Sequence, residues 1–166
     1  MKFYASEEYQ PHCQKLFEHY QRKIKLVIPN ALIEHIGASS IPHAISKGDL
    51  DIYIAVEQFV FENAIQKLIT LNFQEKKETL RTHQLCMLES LNNDEVALQL
   101  IVKGSEFESF IIFRDTLRQS SELVQQYNAL KSRCSHLNMD DYRSEKNMFI
   151  AKVLRNPTQK TIKNAL

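Results

Sequence analysis

The clearest periodicity in the chain is Leu50-Asp51-Ile52-Tyr53-Ile54-Ala55-Val56, which puts Leu50, Ile52, Ile54 and Val56 on one side of an extended strand. Asp49, Asp51, Tyr53 and Ala55 fall on the other side. Leu32–Ile36 is short and apolar enough for another strand. Two more are predicted at Gln84–Glu89 and Val96–Val102, with turn chemistry between them in Asn92-Asn93-Asp94. Elsewhere the apolar spacing is helical. Leu16, Phe17, Tyr20 and Ile24 mark a stripe within a helix from about Ser6 to Leu26. Ser6, Glu7 and Glu8 suit a capped, acidic first turn, and Pro29-Asn30 ends it. Phe61, Ile65, Leu68 and Ile69 give a core face to a helix over Phe59–Leu71. From Phe107 onward the pattern is helical, with Leu117, then Leu123, Tyr127, Leu130 and Cys134, then Phe149, Ile150, Val153 and Leu154 on successive stripes. Pro157 is expected to close the last helix. The order predicts an α+β fold: a mixed sheet of four or five strands with flanking helices and a helical C-terminal part.

A length of 166 residues fits one domain, expected over 1–155, followed by a loosely held tail over 156–166. Hydrophobic residues at 43% are enough to fill a core, which argues against disorder as the dominant state. The balance of 21 Lys and Arg against 20 Asp and Glu does not indicate a nucleic-acid coat. The longest apolar run, Ile52–Val56, is far short of the roughly 20 residues of a membrane helix. Glu7 and Glu8 stand where a signal peptide needs an apolar stretch. Cys13, Cys86 and Cys134 lack the spacing of a disulfide framework or zinc site, so a cytoplasmic protein with reduced thiols is expected.

Glycine is scarce, and two of the three, Gly37 and Gly48, flank the segment richest in chemistry. It reads Glu34-His35-Ile36-Gly37-Ala38-Ser39-Ser40-Ile41-Pro42, then Lys47-Gly48-Asp49-Leu50-Asp51. A strand ends, Gly37 allows close approach of the backbone, and small hydroxyl residues follow that can hold phosphate oxygens. A second strand then opens with two carboxylates on one face, a donor set suited to hard divalent cations. Two such ions about 3.5–4 Å apart clamp the reacting oxygens in phosphoryl transfer. The same two carboxylates also suit the solvent face of an edge strand. They are poorly placed for acid–base work across a glycosidic bond. His35, on an otherwise apolar strand, reads as a hydrogen-bonded structural residue, and His43 and His83 lack partners at metal spacing. Ser39 has no base nearby in sequence and no nucleophile elbow, which argues against a serine hydrolase. Arg114 and Arg118, four apart on a helix, suit either a shared phosphate or ion pairs with Asp115 and Glu122. Arg81 is a weaker candidate.

The Gly-Ser step, short helix and Asp-x-Asp strand resemble the signature of the nucleotidyltransferase fold. The match is closer to one branch, the GrpB family of bacterial proteins, whose loop reads Glu/Asp-His-Ile-Gly-Ser-Thr-Ser-Val-Pro-Gly, followed by Lys-Pro and a strand Asp. Those positions here are Glu34 to His43, Lys47 and Asp51. The family's Phe-Arg-Asp-x-Leu-Arg appears as Phe113–Arg118, its Tyr-x-x-Leu-Lys as Tyr127–Lys131, and its Lys-x-x-Phe-Ile as Lys146–Ile150. The resemblance runs from about Tyr9 to Leu154. It implies a nucleotidyltransferase-like domain that binds a nucleoside triphosphate with Mg²⁺ and transfers a nucleotidyl group to an acceptor. In that reading Asp49 and Asp51 are the catalytic, metal-holding pair. Gly37, Ser39, Ser40, Lys47, Arg114, Arg118, Lys131 and Lys146 bind nucleotide or phosphate. Three departures stand out: Ala38 replaces the first loop Ser, His43 replaces the Gly after Pro42, and Asp49 adds a carboxylate. The third carboxylate of such enzymes sits on a neighbouring strand, where Val96–Val102 offers Gln99. The alternative is a non-catalytic nucleotide-binding or protein-interaction module.

Overall fold

The computed structural model describes residues 1–155. Expectations about Pro157 and a tail over 156–166 lie outside the described residues. Helix α1 spans Ser6–Val27, followed by strand β1, Leu32–Ile36, and a single 3₁₀ turn, Ala38–Ser40. Strand β2 is Leu50–Val56, helix α2 Phe61–Thr70, and β3, β4 and β5 are Phe73–Glu75, Leu85–Ser90 and Val96–Val102. Helices α3, α4 and α5, Ser109–Arg118, Ser121–Arg133 and Met139–Leu154, complete the chain.

The five strands form one sheet in the order β1-β2-β5-β4-β3. The β2–β5 pair is parallel and the other pairs are antiparallel. The fold is therefore α+β with a mixed sheet, and β1 and β2 are neighbours, Ile36 lying opposite Asp51. The parity read from the sequence holds: Leu50, Ile52, Ile54 and Val56 are buried against α1 and α2 in the largest core cluster.

Several expectations need correction. The second face of β2 is not a solvent face, because β2 lies between β1 and β5 and its Tyr53 and Ala55 are buried with Leu85 and Ile101. Phe107, Phe110 and Ile111, leading into and along α3, cover that cluster. Strand β3 is short and was masked by its single buried residue, Phe73. Helix α2 starts later than expected, leaving Phe59 87% exposed, and Ile69 is exposed rather than in the core. Ser6 is the first helical residue and not the cap; Ala5 takes that place, its N–H donating to Glu8 Oε2 at 2.7 Å.

The C-terminal helices build a second core from Leu117, Val124, Tyr127, Leu130, Tyr142, Phe149 and Val153. Tyr127 stacks on Phe149 at 5.2 Å between ring centroids. Helices α4 and α5 begin with side-chain caps, Ser120 Oγ accepting from Leu123 N–H and Asn138 Oδ1 from Asp141 N–H. Ile41 and Ala44 of the β1–β2 connection insert into this cluster. That connection is thus clamped between the sheet with α1 on one side and the helical part on the other. This clamp positions the candidate site.

Candidate functional site

Strand β2 delivers Asp51 and the preceding connection delivers Asp49. Asp51 Oδ1 accepts a hydrogen bond from Gln99 Nε2 at 3.0 Å, across the parallel β2–β5 pair. Asp49 Oδ1 accepts from the buried Ser46 hydroxyl at 3.1 Å, while the same Ser46 oxygen accepts from Gly48 N–H at 3.2 Å. Sequence reading missed Ser46, although a serine two residues before a glycine turn is a known turn signal. Burial and the neighbouring Asp49 push the Asp51 carboxyl up to about 6. The ammonium groups of Lys146, Lys76 and Lys47 oppose that shift.

Gly37 has φ +73°, and a Cβ there would lie 2.5 Å from Asp51 Oδ2. Glycine is therefore required twice over, by backbone conformation and by the carboxylate packed against it. His43 also has a left-handed φ, 64°, a backbone conformation that favours glycine. Ser40 Oγ donates to Gly37 O at 2.7 Å, so this hydroxyl braces the turn.

Ser39, expected to lack a base, has one: His35 Nε2 is 2.9 Å from Ser39 Oγ. The two residues are four apart in sequence, and the turn at Gly37 brings the chain back over the end of β1. His35 Nδ1 meets Gln14 Oε1 at 3.4 Å, and Gln14 gives its own N–H to Glu18. Gln14 can therefore only accept, so Nδ1 carries the proton and Nε2 accepts from Ser39. Burial, then Arg118 and Arg114, pushes His35 down to about 4, and its ring stacks on Phe17 at 5.0 Å. His35 is a neutral, hydrogen-bonded residue, as its sequence context suggested.

The two helical lysines differ from ordinary solvated ones. Lys131 is 2% exposed, donates to Ile45 O at 2.6 Å and lies over the Tyr127 ring, 4.0 Å from its centroid. Burial, reinforced by Lys146, pushes it down to about 7, while Asp49 and Asp51 act in the opposite direction. Lys146 sits over the Tyr142 ring. Asp49, Asp51, Lys47, Lys131 and Lys146 thus share one electrostatic neighbourhood, with Gly37 beneath Asp51.

The two arginines go elsewhere. Arg114 is buried and donates to Glu34 at 2.7 Å, to Asp115 at 2.8 Å and to His35 O at 2.9 Å. Its carboxylate partners are Asp115 and Glu34, not Glu122; the long-range partner comes from β1 and has no local sequence signal. Arg118 Nε donates to Ser40 O at 2.8 Å. With Ser39, Ser40 and His35 it lines a groove beside α1 that none of Asp49, Asp51, Lys47, Lys131 or Lys146 reaches.

The carboxylate pair suits one divalent cation. A second ion with a third anionic ligand does not fit, because Gln99 occupies that place and donates to Asp51. Its Oε1 is buried without a hydrogen-bond partner among the described residues. Among the described residues no group of three or more His, Cys, Asp or Glu is arranged to hold a metal.

A mixed sheet with Asp49 just before its second strand and Asp51 within it, behind a Gly-containing turn, matches a nucleotidyltransferase-like fold. Solved structures agree: Cid1 poly(U) polymerase with Mg 3′-dATP superposes with a TM-score of 0.54 at 10% identity, covering 76% of this chain and 41% of that one. The crystal structure of GrpB from Enterococcus faecalis superposes with a TM-score of 0.76 at 21% identity, covering 92% and 94% of the two chains. The model of the GrpB protein family matches residues 6–156, and the chain belongs to that family. A UPF0157 protein of Vibrio cholerae is 51% identical over 154 residues, 93% of this chain and 82% of its own length. Another, from Deinococcus radiodurans, is 27% identical and covers 84% and 74%. No helix among the described residues is long and apolar enough to cross a membrane.

Proposed function

We propose that the region around Asp49 and Asp51 binds a nucleoside triphosphate together with one Mg²⁺ ion. The observation that carries this reading is the convergence of two carboxylates with Lys47, Lys131 and Lys146 around a glycine turn. Asp49 and Asp51 would hold the cation. When bound, Mg²⁺ supplies charge neutralisation and polarises a phosphoryl oxygen. Lys131 and Lys146 meet the phosphate chain from the helical side, and Lys47 from the loop. Gly37 admits the backbone close to the ligand, while Ser39 and Ser40 shape the turn through His35 and Gly37 O. Arg114 fastens β1 to α3 and serves the site only by holding that wall. Cid1, named as a poly(U) polymerase and solved with Mg-bound nucleotides, supports the nucleotide class by analogy of fold. A cytoplasmic location remains part of this proposal, supported by three buried free cysteines.

Nucleotidyl transfer to an acceptor hydroxyl is one use of such a site. Gln99 favours the other, a binding module that holds a nucleotide without transferring it, because the second ion lacks an anionic ligand. The test is calorimetric titration of Mg²⁺ and a non-hydrolysable triphosphate into wild type, Asp49→Asn and Lys131→Met. Each ligand should bind weakly alone and more tightly with the other, since the phosphates complete the coordination. Asp49→Asn should abolish that coupling, and Lys131→Met should weaken triphosphate binding about tenfold. Equal curves for wild type and both variants would remove the site. A parallel assay of Gln99→Asp with labelled nucleotide separates the two uses: incorporation gained only in this variant identifies wild type as a binder.

A further inference from the structure

We propose that the groove between the first half of α1 and the 38–43 segment is a second ligand site, taking a small molecule through a carboxylate or phosphate group held by Arg118. The groove has a volume of about 490 Å³, and its walls include Gln10, Gln14, His35, Ser39, Ser40 and Arg118. That is within the roughly 300–1,000 Å³ of small-molecule sites and leaves room for a body beyond a single anion.

The groove is distinct from the Asp49–Asp51 pair: neither carboxylate lines it, and its wall residue His35 lies on the opposite face of the β1–β2 pair from Asp51. His35 lies opposite Ile52 and faces α1, where it stacks on Phe17. Asp51 lies opposite Ile36 on the other face, the side covered from α3. The 38–43 segment runs between the two.

Charge selects the class of ligand. Arg114 and Arg118 repel each other; Asp115 and Glu34 attract both, but only Arg114 makes direct ion pairs with them. Arg114 has Glu34 and Asp115, whereas the terminal nitrogens of Arg118 have no hydrogen-bond or ion-pair partner among the described residues. The Nε bond to Ser40 O fixes the guanidinium plane and leaves its two-nitrogen edge for an oxyanion. The carboxylate on the groove wall, Glu7, is already engaged by the first-turn backbone and by Ser6. It does not cancel Arg118. Beside the cation, the buried Ser39–His35 pair presents a neutral polar wall suited to the uncharged part of the ligand.

The probes are inorganic phosphate, glycerol 3-phosphate and succinate, titrated by calorimetry in metal-free buffer, with the His35 ring signals followed by NMR. At least one organic probe should bind at one site per chain, more tightly than inorganic phosphate, and shift the His35 signals. Binding of only the phosphate ester, or only the dicarboxylate, assigns the anion class. Arg118→Gln should weaken binding about tenfold or more, Arg118→Lys should be intermediate, and Asp51→Asn should bind as wild type. Unchanged thermal melting shows that the arginine variants fold. Absence of saturable binding, equal binding by Arg118→Gln, or loss in Asp51→Asn overturns the proposal. The metal-free conditions keep its failure distinct from failure of the nucleotide reading.

Discussion

Asp51→Asn is expected to make the metal-free protein more stable at neutral pH while removing its response to Mg²⁺ and nucleotide. The Asp51 carboxyl is pushed up from 3.8 to about 6, so the folded state resists its ionisation. A group of this kind contributes most stability below its unfolded value, and that contribution is lost as pH rises from about 4 to about 6. About two pKa units would correspond to roughly 3 kcal/mol, and partial contact with solvent reduces this to roughly 1–2 kcal/mol. Asparagine keeps an acceptor for Gln99 Nε2 and carries no charge beside Asp49. The expected gain above pH 7 is a melting temperature higher by roughly 3–6 °C, with little gain at pH 4. His35 has the opposite sign. Pushed down from 6.5 to about 4, it gives stability that is full above 6.5 and lost as pH falls toward 4. The two slopes oppose each other in wild type, so Asp51→Asn should also steepen the loss of stability on acidification. Thermal melting in chelator-treated buffer from pH 4 to 8 measures both effects. A variant that is destabilised at pH 7, or that keeps the wild-type slope, would refute this account of the buried carboxylate.

Gly37→Ala should cost about 1–3 kcal/mol in urea unfolding from its left-handed backbone, and displacement of Asp51 should also remove Mg²⁺–nucleotide coupling. His43→Gly should stabilise the chain by up to about 1 kcal/mol in the same assay, because His43 holds a left-handed φ of 64°. Arg114→Ala should lose about 2–3 kcal/mol, because three acceptors lose a buried donor while Glu34 and Asp115 still reach solvent. Circular dichroism against urea is sufficient to measure it.

The sheet was legible where side chains alternate strongly. Strands β1, β2, β4 and β5 appear in the sequence because apolar positions recur with a period of two or fill a short run. Strand β3 was not, since only Phe73 of its three residues is buried and a three-residue edge leaves no pattern. The acidic pair was legible as a motif, but the burial of Tyr53 and Ala55 further along the same face was not, because their cover comes from residues near 107–111. The same limit applies to Ser39 and Arg114. His35 reaches Ser39 only after Gly37 turns the chain, and Arg114 reaches Glu34 across 80 positions of sequence. Lys131 was picked out only by the family resemblance; the aromatic ring and carbonyl that enclose it lie on its own helix and on the β1–β2 connection. Periodic patterning was readable, whereas contacts made by a turn of the backbone or between layers were not.

In the proposed site, a neutral Gln99 beside Asp51, where the resembled enzymes carry a third carboxylate, sets the charge to be balanced. With Asp49 and Asp51 alone, one dication cancels both carboxylates, and Lys47, Lys131 and Lys146 are left to meet a polyphosphate. In that proposed site a second dication would add repulsion against these ammonium groups and Lys76, with no third protein carboxylate to hold it. Gln99 instead ties its amide to Asp51 and steadies the carboxylate without adding charge. The burial that pushes Lys131 down to about 7 disfavours its ammonium form. An anionic ligand beside it favours the protonated form, so ligand and proton reinforce each other. In the proposed site, the neutral Gln99 therefore leaves two carboxylates for one ion and the lysines for the phosphates.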